Sequence, residues 1–275
     1  MTTLEPDIAI IETSSLGDRS YLISHDGAGA VVDPQRDIDR IEALAREKNV
    51  RITHVLETHI HNDYVTGGLQ LSRATGAQYV VPEGDPVEYE RRAVADGDIV
   101  SMGGVSLQVM HTPGHTHHHV SYVLRDAADK PVAVFTGGSM LYGSTGRTDL
   151  LGSDHTDELT HAQFHSVRRI ADELPSGTEV YPTHGFGSFC SATPTTGESS
   201  TIGEQQNSNP ALTQDEKSYV DELIAGLGAY PAYYAHMGVI NTAGPRPIDL
   251  SMPEPVDPQA LRSRIDAGEW VVDLR

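Results

Sequence analysis

The reading turns on residues 52–64, Ile52-Thr53-His54-Val55-Leu56-Glu57-Thr58-His59-Ile60-His61-Asn62-Asp63-Tyr64. Residues 52–58 read as a strand, and a His-x-His-x-Asp stretch follows directly on it. In extended backbone, residues i and i+2 point the same way. His59, His61 and Asp63 therefore present two imidazoles and a carboxylate from one short loop. A transition metal is held by neutral nitrogen and anionic oxygen donors about 2 Å away in a convergent cup, and this loop supplies half of one. Taken alone, the same residues also suit a polar turn.

Two further strand ends deliver histidine. His111-Thr112-Pro113-Gly114-His115-Thr116 follows a strand over 105–111, and its Pro-Gly turn aims His115 back at the sheet edge. Tyr181-Pro182-Thr183-His184-Gly185 again places a histidine after a strand. Three such ends point to a metal site. Of the 14 histidines, eight fall within residues 54–119, and histidine is the commonest metal ligand. At least two of His117, His118 and His119 are expected to be surface side chains at the start of the next strand.

Working outward, strands are expected at 7–12, 19–24, 29–34, 77–81, 105–111, 120–125, 131–137 and 179–185. Helices are expected at 37–48, from Gly68 to near Gly76, and at 156–173. The pattern is a sheet-rich α/β domain with helices on its outer faces. Residues 193–210 are poor in apolar side chains and read as a surface loop. The domain is expected to span 1–242, with a Pro- and Gly-rich linker at 243–257. Residues 258–275 then give a helix and a strand, too little to bury a core and so the opening of an incomplete second domain.

The composition excludes several classes. Lys+Arg total 19 against 39 Asp+Glu, a net charge of −20, which opposes binding to nucleic acid or to an anionic membrane surface. The single cysteine, Cys190, excludes an internal disulfide framework. No apolar run approaches the roughly 20 residues of a membrane span. The N-terminus lacks the basic and apolar regions of a secretory signal, so a cytoplasmic location is expected.

The order HxHxD, GH, TGG…GRTDL and PTHG resembles the metallo-β-lactamase superfamily. Within it, THIHNDYVTGG, HTPGHT and GRTDL resemble the persulfide dioxygenase and glyoxalase II branch, over roughly residues 7–240. The final LRSRIDAGEWVVDLR resembles the first helix and strand of a rhodanese domain, to which some bacterial members are fused. The resemblance implies an αββα sandwich with metal at one end of its two sheets. It implies a first site at His59, His61 and His115, and a second at Asp63, Tyr64 and His184. It also implies a homodimer.

The chain departs from that pattern twice. Gly138 stands where a TGD aspartate normally bridges the two sites, and Tyr64 stands for a histidine. One ion, Fe(II) or Zn(II), is therefore expected in place of two, with Asp63 and Asp149 as the carboxylates available to compensate. Asp63 and Tyr64 are candidate catalytic groups, for proton handling and for hydrogen bonding to bound substrate. Arg147 is read either as an anion contact or as half of a structural salt bridge. Cys190 is either simply buried or a thiolate acceptor of sulfane sulfur. The expected substrate is a small-molecule thiol persulfide oxidised to sulfite with O2. The alternatives are a zinc hydrolase of thioesters and a non-catalytic domain that binds sulfur compounds for a rhodanese.

Overall fold

The computed structural model describes residues 5–195 and 197–272. Two six-stranded sheets face each other. The first runs in chain order from β1 (Asp7–Thr13) through β2 (Asp18–His25), β3 (Ala28–Val32), β4 (Arg51–Leu56) and β5 (Gln78–Pro82) to β6 (Arg92–Val94). The second is built from β7 (Ile99–Met102), β8 (Val105–His111), β9 (Val120–Arg125) and β10 (Pro131–Gly137). A small ribbon, β11 (Met140–Leu141) with β12 (Ser144–Thr145), intervenes before β13 (Glu179–Pro182) and β14 (Ser200–Thr201) complete the second sheet. The sheet order is β14-β13-β10-β9-β8-β7.

Three apolar layers hold the sandwich together. Tyr21, Ile23, Val32, Leu56 and Val80 of the first sheet meet Leu107, Val109, Tyr122, Leu124 and Phe135 of the second in the central core. Helices α1 (Ile38–Glu47) and α2 (Gly68–Thr75) cover the outer face of the first sheet through Ile41 and Leu71. On the second sheet, α3 (Ser153–Glu173) brings Phe164, Val167 and Ile170 against Val123 and Val134. The architecture is αββα. The expected stop of α2 is present as well: Gly76 takes φ +72°, the left-handed turn that a helix end favours.

The loop expected over 193–210 is only partly a loop. Residues 202–208 form α4, which is opened by a reciprocal cap between Thr201 and Glu204 and anchored by the fully buried Ile202. A cap and one apolar anchor outweigh the polar composition. The chain continues as α5 (Pro210–Thr213), α6 (Glu216–Gly226) and α7 (Tyr234–Ala243). The helix expected near the end is α8 (Pro258–Asp266), which has no buried residue. Of the strand expected after it, residues 269–272 form no strand, and 273–275 lie outside the described residues. Among the described residues, no helix is long and apolar enough to cross a membrane.

The topology carries the three histidine loops to one edge. Strands β8 and β10 both run antiparallel to β9, and β10 runs parallel to β13. Their C-terminal ends therefore share an edge. The amide of Val120 donates to the Thr58 carbonyl (2.8 Å), tying the loop after β4 to the second sheet. Asp33, buried at the end of β3, fixes the same edge. Its carboxylate accepts from the Thr58 amide (2.7 Å), the Thr58 hydroxyl (2.8 Å) and the Thr183 hydroxyl.

Candidate metal centre

At that edge, His59, His115 and His184 each bring a ring nitrogen to within 4.8 Å of the other two, and all three are buried. His61, Asp63 and His184 form a second such group, and Asp33, Glu57 and His61 a third. The set differs from the His59, His61 and His115 grouping that the resemblance implies. His61 is drawn elsewhere: its Nε2 lies 3.3 Å from both Asp33 Oδ1 and Glu57 Oε2 and 2.9 Å from the Tyr64 hydroxyl. The Tyr64 ring stacks on His61 at 4.3 Å, and its hydroxyl donates to the Asp33 carbonyl at 3.4 Å. Tyr64 thus serves His61 through a hydrogen bond. The late histidine, His184, takes the place beside His59 and His115.

Each imidazole is oriented by a partner on its far side. The Nδ1 of His115 donates to the Arg147 carbonyl at 2.7 Å, which leaves Nε2 as the free acceptor. That Nε2 is buried without a hydrogen-bond partner. A buried, unpartnered acceptor is costly unless something electropositive sits beside it. His184 presents Nδ1 to Asp18 (3.0 Å) and Asp63 (3.3 Å), with Nε2 3.4 Å from His59 Nε2. Partners of this kind fix the tautomer and direction of a metal-ligating imidazole. The donor set and its unpartnered nitrogen fit a divalent transition metal.

The electrostatics agree. Burial, and then the neighbouring imidazoles, hold His59 well below its ordinary value, and the same causes take His115 down to about 3. Both are neutral, as ligands must be. For His184, burial works downward, but the Asp63 and Asp18 carboxylates outweigh it and hold the ring well above 6.5. The metal-free protein at pH 7 therefore keeps a proton on His184. The stability that this imidazolium contributes is fully present below pH 6.5 and is lost as pH rises through its raised folded value. A metal must displace the proton, so metal uptake at pH 7 is expected to release protons and to tighten as pH rises. Titration calorimetry in two buffers of different ionisation enthalpy reads this directly; identical heats in both would refute it.

The other expected residues fall as follows. The Arg147 guanidinium is held by Asp149 (2.6 and 2.7 Å) and by the carbonyls of Phe189 and Gly228. This is the structural salt bridge, and what Arg147 gives the centre is the carbonyl beneath His115. Asp149 is therefore engaged away from the imidazoles. Of the three consecutive histidines, His117 is half-buried and His118 exposed, in line with the expected surface pair, while His119 is fully buried. It stacks on His59 at 5.0 Å and accepts from the Gly138 amide at 3.0 Å. The Cys190 thiol is buried and faces Asp63 and the Tyr234 hydroxyl. Burial, and then the Asp63 and Asp18 carboxylates, push it well up, which opposes the thiolate that sulfur acceptance requires.

Sequence reasoning passed over Asp18, Asp33, Glu57 and Asn241. Asn241 of α7 is fully buried. Its Nδ2 donates to the carbonyls of His61 (2.8 Å) and Tyr64 (2.9 Å), and its Oδ1 accepts from the Thr66 amide (3.0 Å). The metal-binding loop is thereby strapped to a helix about 180 residues away in sequence.

Residues 18–185 match the family model described as the metallo-beta-lactamase superfamily. The human mitochondrial persulfide dioxygenase ETHE1 is 28% identical over 243 residues, which is 88% of this chain and 81% of that protein. A hydroxyacylglutathione hydrolase of Pseudomonas aeruginosa is 35% identical over 159 residues, 57% of either chain. Among solved structures, a metallo-beta-lactamase from Staphylococcus aureus subsp. aureus COL superposes with a TM-score of 0.82 at 30% identity, covering 92% of this chain and 76% of that one. ETHE1 from Myxococcus xanthus does so with 0.73 at 26% identity, covering 86% and 98%. With αββα layers, histidine loops gathered at one sheet edge and a family match over more than half its length, the chain belongs to the metallo-beta-lactamase superfamily.

Proposed function

We propose that this chain is a metal-dependent enzyme of sulfur metabolism that oxidises a low-molecular-weight persulfide to sulfite. The overall change is RSSH + O2 + H2O giving RSH, sulfite and two protons. The observation that carries the metal dependence is the convergence of His59, His115 and His184 around the unpartnered His115 Nε2. The preference for a persulfide rests on similarity to the human dioxygenase over 88% of this chain, against 57% for the hydrolase. The helix over 258–266 and the exposed apolar residues 270–272 are read as the start of a rhodanese-like unit, which fits sulfane-sulfur chemistry.

His59, His115 and His184 would hold one ion. Bound there, Fe(II) supplies electron-transfer chemistry toward O2, whereas Zn(II) supplies Lewis acidity. The chain's own groups prepare the site. The Arg147 carbonyl keeps the proton of His115 on Nδ1. Burial works upward on Asp63, but the His184 ring beside it holds the carboxyl below the ordinary range, so Asp63 stays ionised and orients His184. Asp63, Cys190 and Tyr234 are all buried there, which keeps this side of the site out of bulk water.

One observation favours a second reading, a zinc hydrolase of thioesters. The three-imidazole set contains no carboxylate, and three neutral imidazoles with an open position suit catalytic zinc better than oxygen-activating iron. Two measurements on the purified protein separate the readings. One is the ratio of iron and zinc to chain. The other is turnover of glutathione and cysteamine persulfides by oxygen uptake, set beside hydrolysis of a glutathione thioester. Iron with oxygen uptake that a His59→Ala variant lacks is the expected result. Zinc with thioester hydrolysis and no oxygen uptake would replace the first reading by the second.

A further inference from the structure

A cavity of about 420 Å³ lies against both loops that carry the imidazoles. One wall is Ile60 and Asn62, which alternate with His59, His61 and Asp63. Another is Thr116, which follows His115, and α7 closes the space with Gly238 and Val239. Resting on the sulfur-compound reading above, we propose that this cavity seats the non-sulfur end of the substrate. The same geometry points to an organosulfur compound that carries an ammonium group and no carboxylate.

The charge of the walls makes the choice. Asp85 lines the cavity at 5% exposure, and its Oδ2 has no hydrogen-bond partner. The Thr116 hydroxyl, also on the wall and 5% exposed, is unpartnered as well. Glu88 adds a second carboxylate, and His117 and His118 are the basic side chains among the lining residues, with no lysine or arginine. Arg91, the cation nearest in sequence, donates Nη2 to the carbonyls of Glu83 and Asp85, both at 3.1 Å. Burial pushes the Asp85 carboxyl up to about 7, because ionising a carboxylate this deep with one oxygen unpartnered is costly, and an N–H-bearing cation removes that cost. A ligand carboxylate would instead add a third acid beside Asp85 and Glu88. The remaining surface, from Ile60, Leu151 and Val239, suits a carbon skeleton. Asp85 is well fixed for the task, because its carboxylate also takes the Ile60 amide.

The test uses three unreactive thioethers of nearly equal shape: 2-(benzylthio)ethylamine, 2-(benzylthio)ethanol and 3-(benzylthio)propionate. Their binding to the full chain is measured by titration calorimetry, which needs no turnover. The amine is expected to bind about 10-fold or more tighter than the alcohol, as one charge-assisted contact allows, with the propionate weakest. In Asp85→Asn, which retains an acceptor for the Ile60 amide, the amine and alcohol should bind alike. In Val239→Trp, a change at a residue 71% exposed, all three should lose binding while the circular dichroism spectrum stays unchanged. Equal binding of the three by the wild type, or an unchanged order in Asp85→Asn, would overturn the proposal. So would undiminished binding in Val239→Trp. Failure of the function above shows separately, as absent turnover with the binding order intact.

Discussion

Gly138→Asp is expected to empty the metal centre, although it restores the acidic residue that the family pattern places there. A Cβ at position 138 would lie 2.3 Å from Cδ2 and 2.6 Å from Cγ of His115. Those atoms belong to a fully buried ring whose Nδ1 is bonded to the Arg147 carbonyl. Gly146, whose amide donates to the Gly138 carbonyl (2.9 Å), also abuts the ring, and a Cβ there would be 2.8 Å from His115 Nδ1. The imidazole therefore abuts both glycines while its Nδ1 is held by the Arg147 carbonyl. Forcing an extra carbon into such a space typically costs about 1–3 kcal/mol, and here the group displaced is a ligand. The expected result is a metal-to-chain ratio well below that of the wild type, with a fall in Tm. Gly138→Ala isolates the cause, since it adds the Cβ without the carboxylate and should lose metal to a similar degree. If Gly138→Asp instead bound metal more tightly at unchanged Tm, the ring would have to move freely and the three-imidazole grouping would be wrong.

This steric relation explains what was legible in the sequence and what was not. Strand-end position and the two-residue alternation along the chain are local properties, so His59, His115 and His184 could be assigned to one edge from spacing alone. Gly138 reads as a loss in one dimension; in space the His115 ring fills the position, and only coordinates show that. The placement of His61 was hidden for a related reason. Its partners, Asp33 and Glu57, sit at the ends of two parallel strands, β3 and β4, whose pairing is non-local. Glu57 stands immediately before Thr58-His59 and Asp33 ends a buried strand, so an acid at a strand end was the available signal. The helical region after Gly185 was the least legible. Its helices are short and polar, and what orders them is a cap, one buried isoleucine and contacts with the second sheet. The sheet-rich α/β pattern was readable because its longer strands and major helices carry their own apolar period, whereas the short strands β6, β7 and β14 carry too little of one to be read.

Asn241→Asp is expected to release α7 from the metal-binding loop and to cost nearly as much as Asn241→Ala. The wild-type side chain satisfies three buried backbone groups, donating to two carbonyls and accepting from one amide. Alanine leaves all three without partners. Each such group costs about 1–3 kcal/mol, so a loss of roughly 3 kcal/mol or more is expected, equivalent to a Tm fall of about 6–12 °C for a domain of this size. Aspartate has nearly the same shape and keeps the acceptor for the Thr66 amide, but it turns two donors into carboxylate oxygens that face the His61 and Tyr64 carbonyls. A purely steric role for Asn241 would predict that aspartate is tolerated; the hydrogen-bonding role predicts that it is not. The consequence should extend to the metal, because the segment held runs from His61 to Thr66 beside His59 and Asp63. Faster metal loss to a chelator is expected in both variants, together with faster amide exchange over residues 61–66 and 234–243. Gly238 makes the packing tighter still, since a Cβ there would lie 2.7 Å from Asn62 Oδ1. Wild-type Tm and chelation rate in Asn241→Asp would show that α7 is held by its apolar contacts alone.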